Sequence, residues 1–156
     1  GGPEEVSLVE CIMTGLVLAE KRAGTGEAWE DGAFGTIACT GLAAFVRLTA
    51  ATAEEGRDRD DGLEPFEAFY PALFPTLLHF AAKVDKGGRV DVNIMALRCL
   101  QNLGGGTSAA KLRRYLPSVK HRLSLAFEHP NRAVREAAVK VRNSYFQVER
   151  KMEETD

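Results

Sequence analysis

Two stretches decide how this chain folds: PTLLHFAAKVDKGGRVDVNIMALR at residues 75–98 and PSVKHRLSLAFEHPNRAVREAAVK at residues 117–140. Set with position 75 on position 117, they align without a gap. Pro75 falls on Pro117, His79 on His121, Val92 on Val134, Ala96 on Ala138, Leu97 on Val139 and Arg98 on Lys140. Each copy reads as an apolar helical segment, a polar turn and a second helical segment. A period of about 40 residues built from two helices is the signature of a HEAT or armadillo solenoid. Such units stack because none can bury its apolar face alone. The expected fold class is therefore all-α, a HEAT-type α-solenoid of about six main helices in antiparallel pairs. Stacked units present long side surfaces, so protein binding is the expected role and catalysis is not.

Working outward, the last helix is expected from Arg132 to Glu149, with Val134, Ala137, Ala138, Val141, Tyr145 and Val148 on one stripe. Lys151 to Asp156 is expected to fray. The helix before it opens at Pro117 and ends near Glu128, and Ser108 caps a short turn reaching Tyr115. The helix from Val90 to Leu103 is expected to stop at Gly104-Gly105-Gly106, since glycine accepts the left-handed conformation that closes a helix. Pro71 and Pro75 predict a short helix from Pro65, a break, and a new helix from Leu73 to Val84. Residues 65–156 thus hold two HEAT repeats, at 71–106 and 113–150.

Residues 1–64 read as a degenerate helical pair, Val6 to Arg22 and Ala33 to Ala53, followed by a charged loop at 54–62 (EEGRDRDDG). That loop is a solvated linker on its composition, or a partner-specific acidic element. Gly35 and Gly41 suit a close helix–helix approach, and Trp29 reads as a loop anchor against the first helices.

Composition bounds the role. With 156 residues, 45% hydrophobic and 27% charged, the chain suits one globular unit with a real core. It has no apolar run of ~18 residues to cross a membrane and no signal-peptide pattern. Gly1-Gly2 reads as a cloning scar or a truncation point. Cys11, Cys39 and Cys99 are odd in number and far apart, and all lie in apolar helical stretches. They are expected to be reduced, buried thiols, which fits a cytoplasmic and nuclear protein.

Net charge is only -2, yet it is unevenly spread. Residues 1–65 carry 13 acidic and 5 basic side chains, whereas residues 111–151 carry 3 acidic and 11 basic ones. Such a separation sets opposite fields at the two ends of a solenoid. The basic set comprises Lys111, Arg113, Arg114, Lys120, Arg122, Arg132, Arg135, Lys140 and Arg142. It reads as a solvated face, a protein-docking ridge or a nucleic-acid surface. The candidate protein-binding residues are Arg98, Arg113, Arg114, Lys120, Arg122, Arg135, Lys140 and Arg142. Nucleic acid ranks below protein because the aromatics do not interleave with the basic residues as a base-stacking surface needs.

No catalytic, cofactor-binding or metal-binding residue is expected. Gly104-Gly105-Gly106-Thr107 lacks the Gly-Lys-Ser/Thr ending of a phosphate loop and follows a helix rather than a strand. His79 and His121 stand at equivalent repeat positions. Stacked helices lie about 8–10 Å apart, too far for two imidazoles to share one metal.

The C-terminal part, about 85 residues, resembles the end of a known HEAT scaffold. The resemblance rests on Ala96-Leu97-Arg98-Cys99-Leu100, on Tyr115-Leu116-Pro117 with Val119, and on Val134-Arg135, Ala138-Val139, Arg142 and Tyr145-Phe146 in the last helix. The family is the large scaffold subunit of the cytosolic iron–sulfur protein assembly targeting complex, first named for methyl methanesulfonate sensitivity and for roles in DNA repair and transcription. It tends to carry Trp where Tyr145 stands, and positions 1–65 match none of its motifs. The resemblance implies a C-terminal domain that docks the complex's WD-repeat propeller subunit and its small partner and helps bring apo iron–sulfur clients such as helicases and polymerases. It implies no cluster and no catalysis on the scaffold itself. The alternatives are a HEAT segment of another large adaptor, such as a transport receptor or tubulin cofactor, or a HEAT-like nucleic-acid-binding protein. A piece of a solenoid also exposes an apolar end, which allows self-association.

Overall fold

The computed structural model describes residues 40–47, 67–82 and 90–155. Among these residues every regular element is a helix. They are α1 (residues 40–47), α2 (Tyr70–Ala82), α3 (Val90–Gly106), the single turn α4 (Ala109–Leu112), α5 (Leu116–Phe127) and α6 (Arg132–Thr155).

The sequence repeat reappears as a repeat of burial. In α3, Val92, Ala96, Cys99 and Leu103 are buried; their repeat equivalents in α6, Val134, Ala138, Val141 and Tyr145, are buried too. The first helix of each pair behaves alike, with Phe74, Leu77 and Ala81 in α2 answered by Leu116, Val119 and Leu123 in α5. Steps of four and three residues keep each set on one helix face. All of these side chains, with Leu42 and Phe45 of α1, join one hydrophobic core.

Polar contacts fix the helix directions. Tyr70 Oη and Thr107 Oγ1 share a 2.8 Å hydrogen bond, tying the start of α2 to the end of α3. At the other end Asn93 Nδ2 donates to the Phe80 carbonyl at 2.6 Å. The two helices are therefore antiparallel. Lys120 pairs with Glu149 and Arg142 lies over the Phe127 ring, so α5 and α6 are antiparallel as well. Between pairs, α2 packs on α5 and α3 on α6. On its other flank α3 meets α1, where Cys99 Sγ donates to the Leu42 carbonyl at 3.7 Å and Asn102 Nδ2 to the Val46 carbonyl at 3.4 Å. Contacts that advance together along both segments make α1 and α3 parallel.

One polar slot latches each pair. Asn93 and Arg135 are equivalent positions, and both donate to carbonyls at the end of the preceding helix or turn. Asn93 reaches Phe80, while Arg135 Nη1 reaches His129 at 2.7 Å and Pro130 at 2.9 Å. The Asn93 bond to Phe80 is buried and the Arg135 bond to His129 part-buried, and such bonds are costly to leave unmade.

Four local expectations are corrected. The prolines do not break α2, which runs unbroken from Tyr70 to Ala82 with Pro75 inside it. Pro71 sits in the first turn, where an N–H would be orphaned anyway. Pro75 forfeits only the bond to the Pro71 carbonyl, and burial of Leu73, Phe74, Leu77 and Leu78 around it holds the helix. Second, α3 continues through Gly104–Gly106 instead of stopping before them. A Cβ on Gly104 would stand 2.9 Å from Tyr145 Cε2 and 3.0 Å from Ser144 Oγ, so this glycine serves close approach of α6 rather than helix termination. Third, Ser108 occupies the cap position of α4 but makes no side-chain cap bond; its carbonyl accepts from Lys111 and Leu112 instead. Fourth, α6 does not fray at Lys151 but extends to Thr155, with Met152 packed against the core. The expected helix at Val6 to Arg22, Trp29, Cys11, Cys39 and the loop at 54–62 lie outside the described residues.

Candidate protein-docking surface

The fold separates the basic residues by what each guanidinium or ammonium already touches. Arg135 is half-buried and spent on the carbonyls of the α5–α6 turn. That turn also holds His129, whose Nδ1 accepts the Asn131 N–H at 3.0 Å, and Asn131, whose Oδ1 accepts the Ala133 N–H at 2.8 Å. An Nδ1 that accepts must be unprotonated, and burial together with the nearby Arg135 charge pushes the His129 pKa below its ordinary value. Lys120 pairs with Glu149 across α5 and α6. Outside the candidate set, Lys111 pairs with Glu67 at 2.8 Å and Arg132 with Glu136 at 2.9 Å. Arg98, Arg113 and Lys140 are exposed on α3, beside α4 and on α6.

Arg114 and Arg122 are brought together along a groove between α2 and α5, with a volume of about 410 Å³. Its α2 wall is Pro71, Phe74, Pro75 and Leu78; its other wall is Arg114 and Tyr115, just before α5, with Ser118 and Arg122 of α5. Ser118 and Arg122 are one turn apart on α5, and Arg114 lines the same groove from the turn before it. Beneath them lies an aromatic floor. The Phe74 and Tyr115 rings stack with centroids 4.4 Å apart and an interplanar angle of 8°. Tyr70 stands edge-on to both, at 5.3 Å and 6.0 Å. Burial pushes the Tyr70 hydroxyl up to about 12, with its hydrogen bond to Thr107 acting the other way. The Tyr70 phenol is therefore neutral at physiological pH. Arg114 also lies over the Tyr115 ring, 5.9 Å from its centroid, within cation–π range.

Elsewhere Arg142 of α6 covers Phe127 at 5.1 Å, and Leu125 of α5 and Phe146 of α6 are about half exposed. Two of the basic residues thus sit on aromatic rings, an association that linear spacing did not reveal. Tyr145, in contrast, points inward and donates to the Leu100 carbonyl at 2.9 Å. Burial drives the ionisation of its hydroxyl, and of the Cys99 thiol, far upward.

No family model, no curated protein and no solved structure matches this chain. Among the described residues no His, Cys, Asp or Glu set could hold a metal ion. His79 lies edge-on to Phe80 at 5.7 Å, while the equivalent His121 is exposed. Among the described residues no helix is long and apolar enough to cross a membrane.

The groove was only half legible in sequence. Arg114 and Arg122 were candidates by charge, whereas Phe74, Tyr115 and the two prolines were not. The available signal was the i, i+4 spacing of Pro71 and Pro75 opposite that of Arg114, Ser118 and Arg122. It becomes a groove only once α2 is known to pack on α5.

Proposed function

We propose that this chain is a non-catalytic protein-binding scaffold, a C-terminal piece of a larger HEAT-type solenoid. The observation that carries the reading is the coincidence of the sequence repeat with a repeat of burial, in two antiparallel pairs stacked first helix on first helix and second on second. The parallel approach of α1 to α3 supports extending the same stacking beyond these two pairs. Its side surface offers a basic, aromatic-floored groove and a half-exposed Phe146, and arginine and aromatic side chains are the commonest anchors of protein interfaces.

The resemblance of the last two helices points to cytosolic iron–sulfur cluster delivery in the cytoplasm and nucleus. The partners would be the WD-repeat propeller subunit, its small partner and apo-clients. The test is calorimetry of the full chain with the purified propeller–small-subunit pair at physiological salt. Micromolar or tighter binding, weakened by Arg142→Glu, supports the assignment. No heat from a folded chain leaves a HEAT adaptor for other partners, and a steep loss of nucleic-acid affinity with salt would favour the nucleic-acid alternative. Arg142 is the better reversal site than Arg135, because changing Arg135 would open the α5–α6 turn.

A further inference from the structure

We propose that the groove between α2 and α5 binds an extended acidic segment of a partner protein, with one apolar side chain on the Pro71–Pro75–Tyr115 surface and flanking carboxylates on Arg114 and Arg122. The proposal deepens the scaffold reading and rests on it.

Charge complementarity selects the occupant. Among the described residues neither Arg114 nor Arg122 has a carboxylate within ion-pair distance, whereas Lys111, Lys120 and Arg132 each have one. Arg135 donates to two turn carbonyls, and Arg114 and Arg142 each lie over a ring, a contact that leaves guanidinium donors open to a carboxylate. Among the described residues the groove walls contain no acidic residue. Two uncompensated guanidiniums above an apolar surface favour a ligand that brings both negative charge and a hydrocarbon group, because arginine's planar fork pairs carboxylates in bidentate fashion.

Spacing sets the ligand's form. Arg122 lies on α5 and Arg114 two residues before its start; eight residues at helical rise correspond to about 12 Å. An extended chain advances about 3.3 Å per residue, so its two carboxylates would stand about three to four residues apart. The side chains between them alternate in direction, which lets one apolar residue point down between the arginines. The exposed proline rings suit this contact, since they are rigid and lose no rotamer freedom on binding.

Fluorescence anisotropy of the full chain tests the idea. The probe is the dye-labelled decapeptide Gly-Ser-Glu-Asp-Leu-Phe-Glu-Asp-Gly-Ser, measured beside its Gln/Asn counterpart and a deoxythymidine oligonucleotide at physiological ionic strength. The acidic peptide should bind at least about tenfold more tightly than the neutral one, in keeping with loss of paired charges at an interface. The double variant Arg114→Ala/Arg122→Ala should lose about tenfold. Arg47→Ala/Arg132→Ala, exposed and outside the groove lining, should change binding less than about twofold, as a remote rim charge does. Ser118→Glu places a carboxylate between the two arginines and should abolish binding from an exposed position that leaves the core untouched. Equal affinity for the two peptides, unchanged binding by the folded Ser118→Glu chain, or tighter binding of the oligonucleotide would overturn the proposal. If the propeller–small-subunit pair binds while the acidic peptide does not, the groove assignment alone falls. If neither binds, the groove assignment and the iron–sulfur assignment both fall, leaving a HEAT adaptor for other partners.

Discussion

Gly104 and Gly105 are adjacent in one helix, yet alanine should have opposite effects at the two positions. Alanine gains up to about 1 kcal/mol over glycine in a helix interior, and it removes the same unfolded-chain freedom at either site. At Gly105 nothing lies within 4 Å of an added Cβ, so that gain is kept. At Gly104 the Cβ would meet Tyr145 Cε2 at 2.9 Å, Ser144 Oγ at 3.0 Å and Tyr145 Cζ at 3.1 Å. An ordinary carbon contact begins near 3.4 Å, so the tyrosine ring must retreat by roughly half an ångström. Such overpacking costs about 1–3 kcal/mol. Moving the ring also strains the 2.9 Å bond from Tyr145 Oη to the Leu100 carbonyl, worth about 1 kcal/mol net. Gly104→Ala is thus expected to destabilise by about 1–2 kcal/mol, and Gly105→Ala to stabilise by about 0.5 kcal/mol. Urea unfolding followed by far-UV circular dichroism reads both, and a shared slope lets the midpoints be compared directly. A Gly104→Ala midpoint at or above that of Gly105→Ala would refute the close-approach argument.

Removing Arg135 as Arg135→Ala takes away the donor to the His129 and Pro130 carbonyls, with an expected cost of about 1–2 kcal/mol in the same urea assay. The His129 pKa is depressed in the folded chain, so below the ordinary histidine value near 6.5 the unfolded chain binds more protons and stability falls as pH drops. Melting temperatures should therefore decrease from pH ~7.5 to pH ~5.5, and His129→Asn, whose Oδ1 can accept the Asn131 N–H, should flatten that decrease. At alkaline pH the sign reverses. Cys99, Tyr70 and Tyr145 are all raised in the folded state, so the unfolded chain gives up protons first. Stability should hold below about pH 8.5 and then decline through about pH 10 and beyond. Tyrosinate absorbance from these two tyrosines should appear only as the helical signal is lost, and Tyr145→Phe should reduce the slope.

The all-helical character was legible because the apolar residues of both copies recur at helical steps, and the offset that aligned them is the offset at which they are buried. The prolines misled for a physical reason. Local rules count the lost backbone bond at Pro75 but not the packing of Leu73, Phe74, Leu77 and Leu78, which outweighs it. The three glycines misled likewise: propensity reads them as a helix stop, whereas the ring of Tyr145 makes Gly104 part of a helix–helix contact. At the candidate site the charges could be counted but not sorted, because the partners of Lys120, Arg135 and Arg142 lie on other elements or across a turn.

By itself the sequence determined the all-helical character of the described residues and which face of the helices in its two copies is buried, since these follow from periodicity within one segment. Only the tertiary structure decided which basic residues remain without counter-charge among the described residues and where they meet apolar surface. That depends on α2 lying against α5, a contact between side chains a full repeat apart in sequence, such as Phe74 and Tyr115. Linear spacing carries no information about which of the compatible faces packing will bring together.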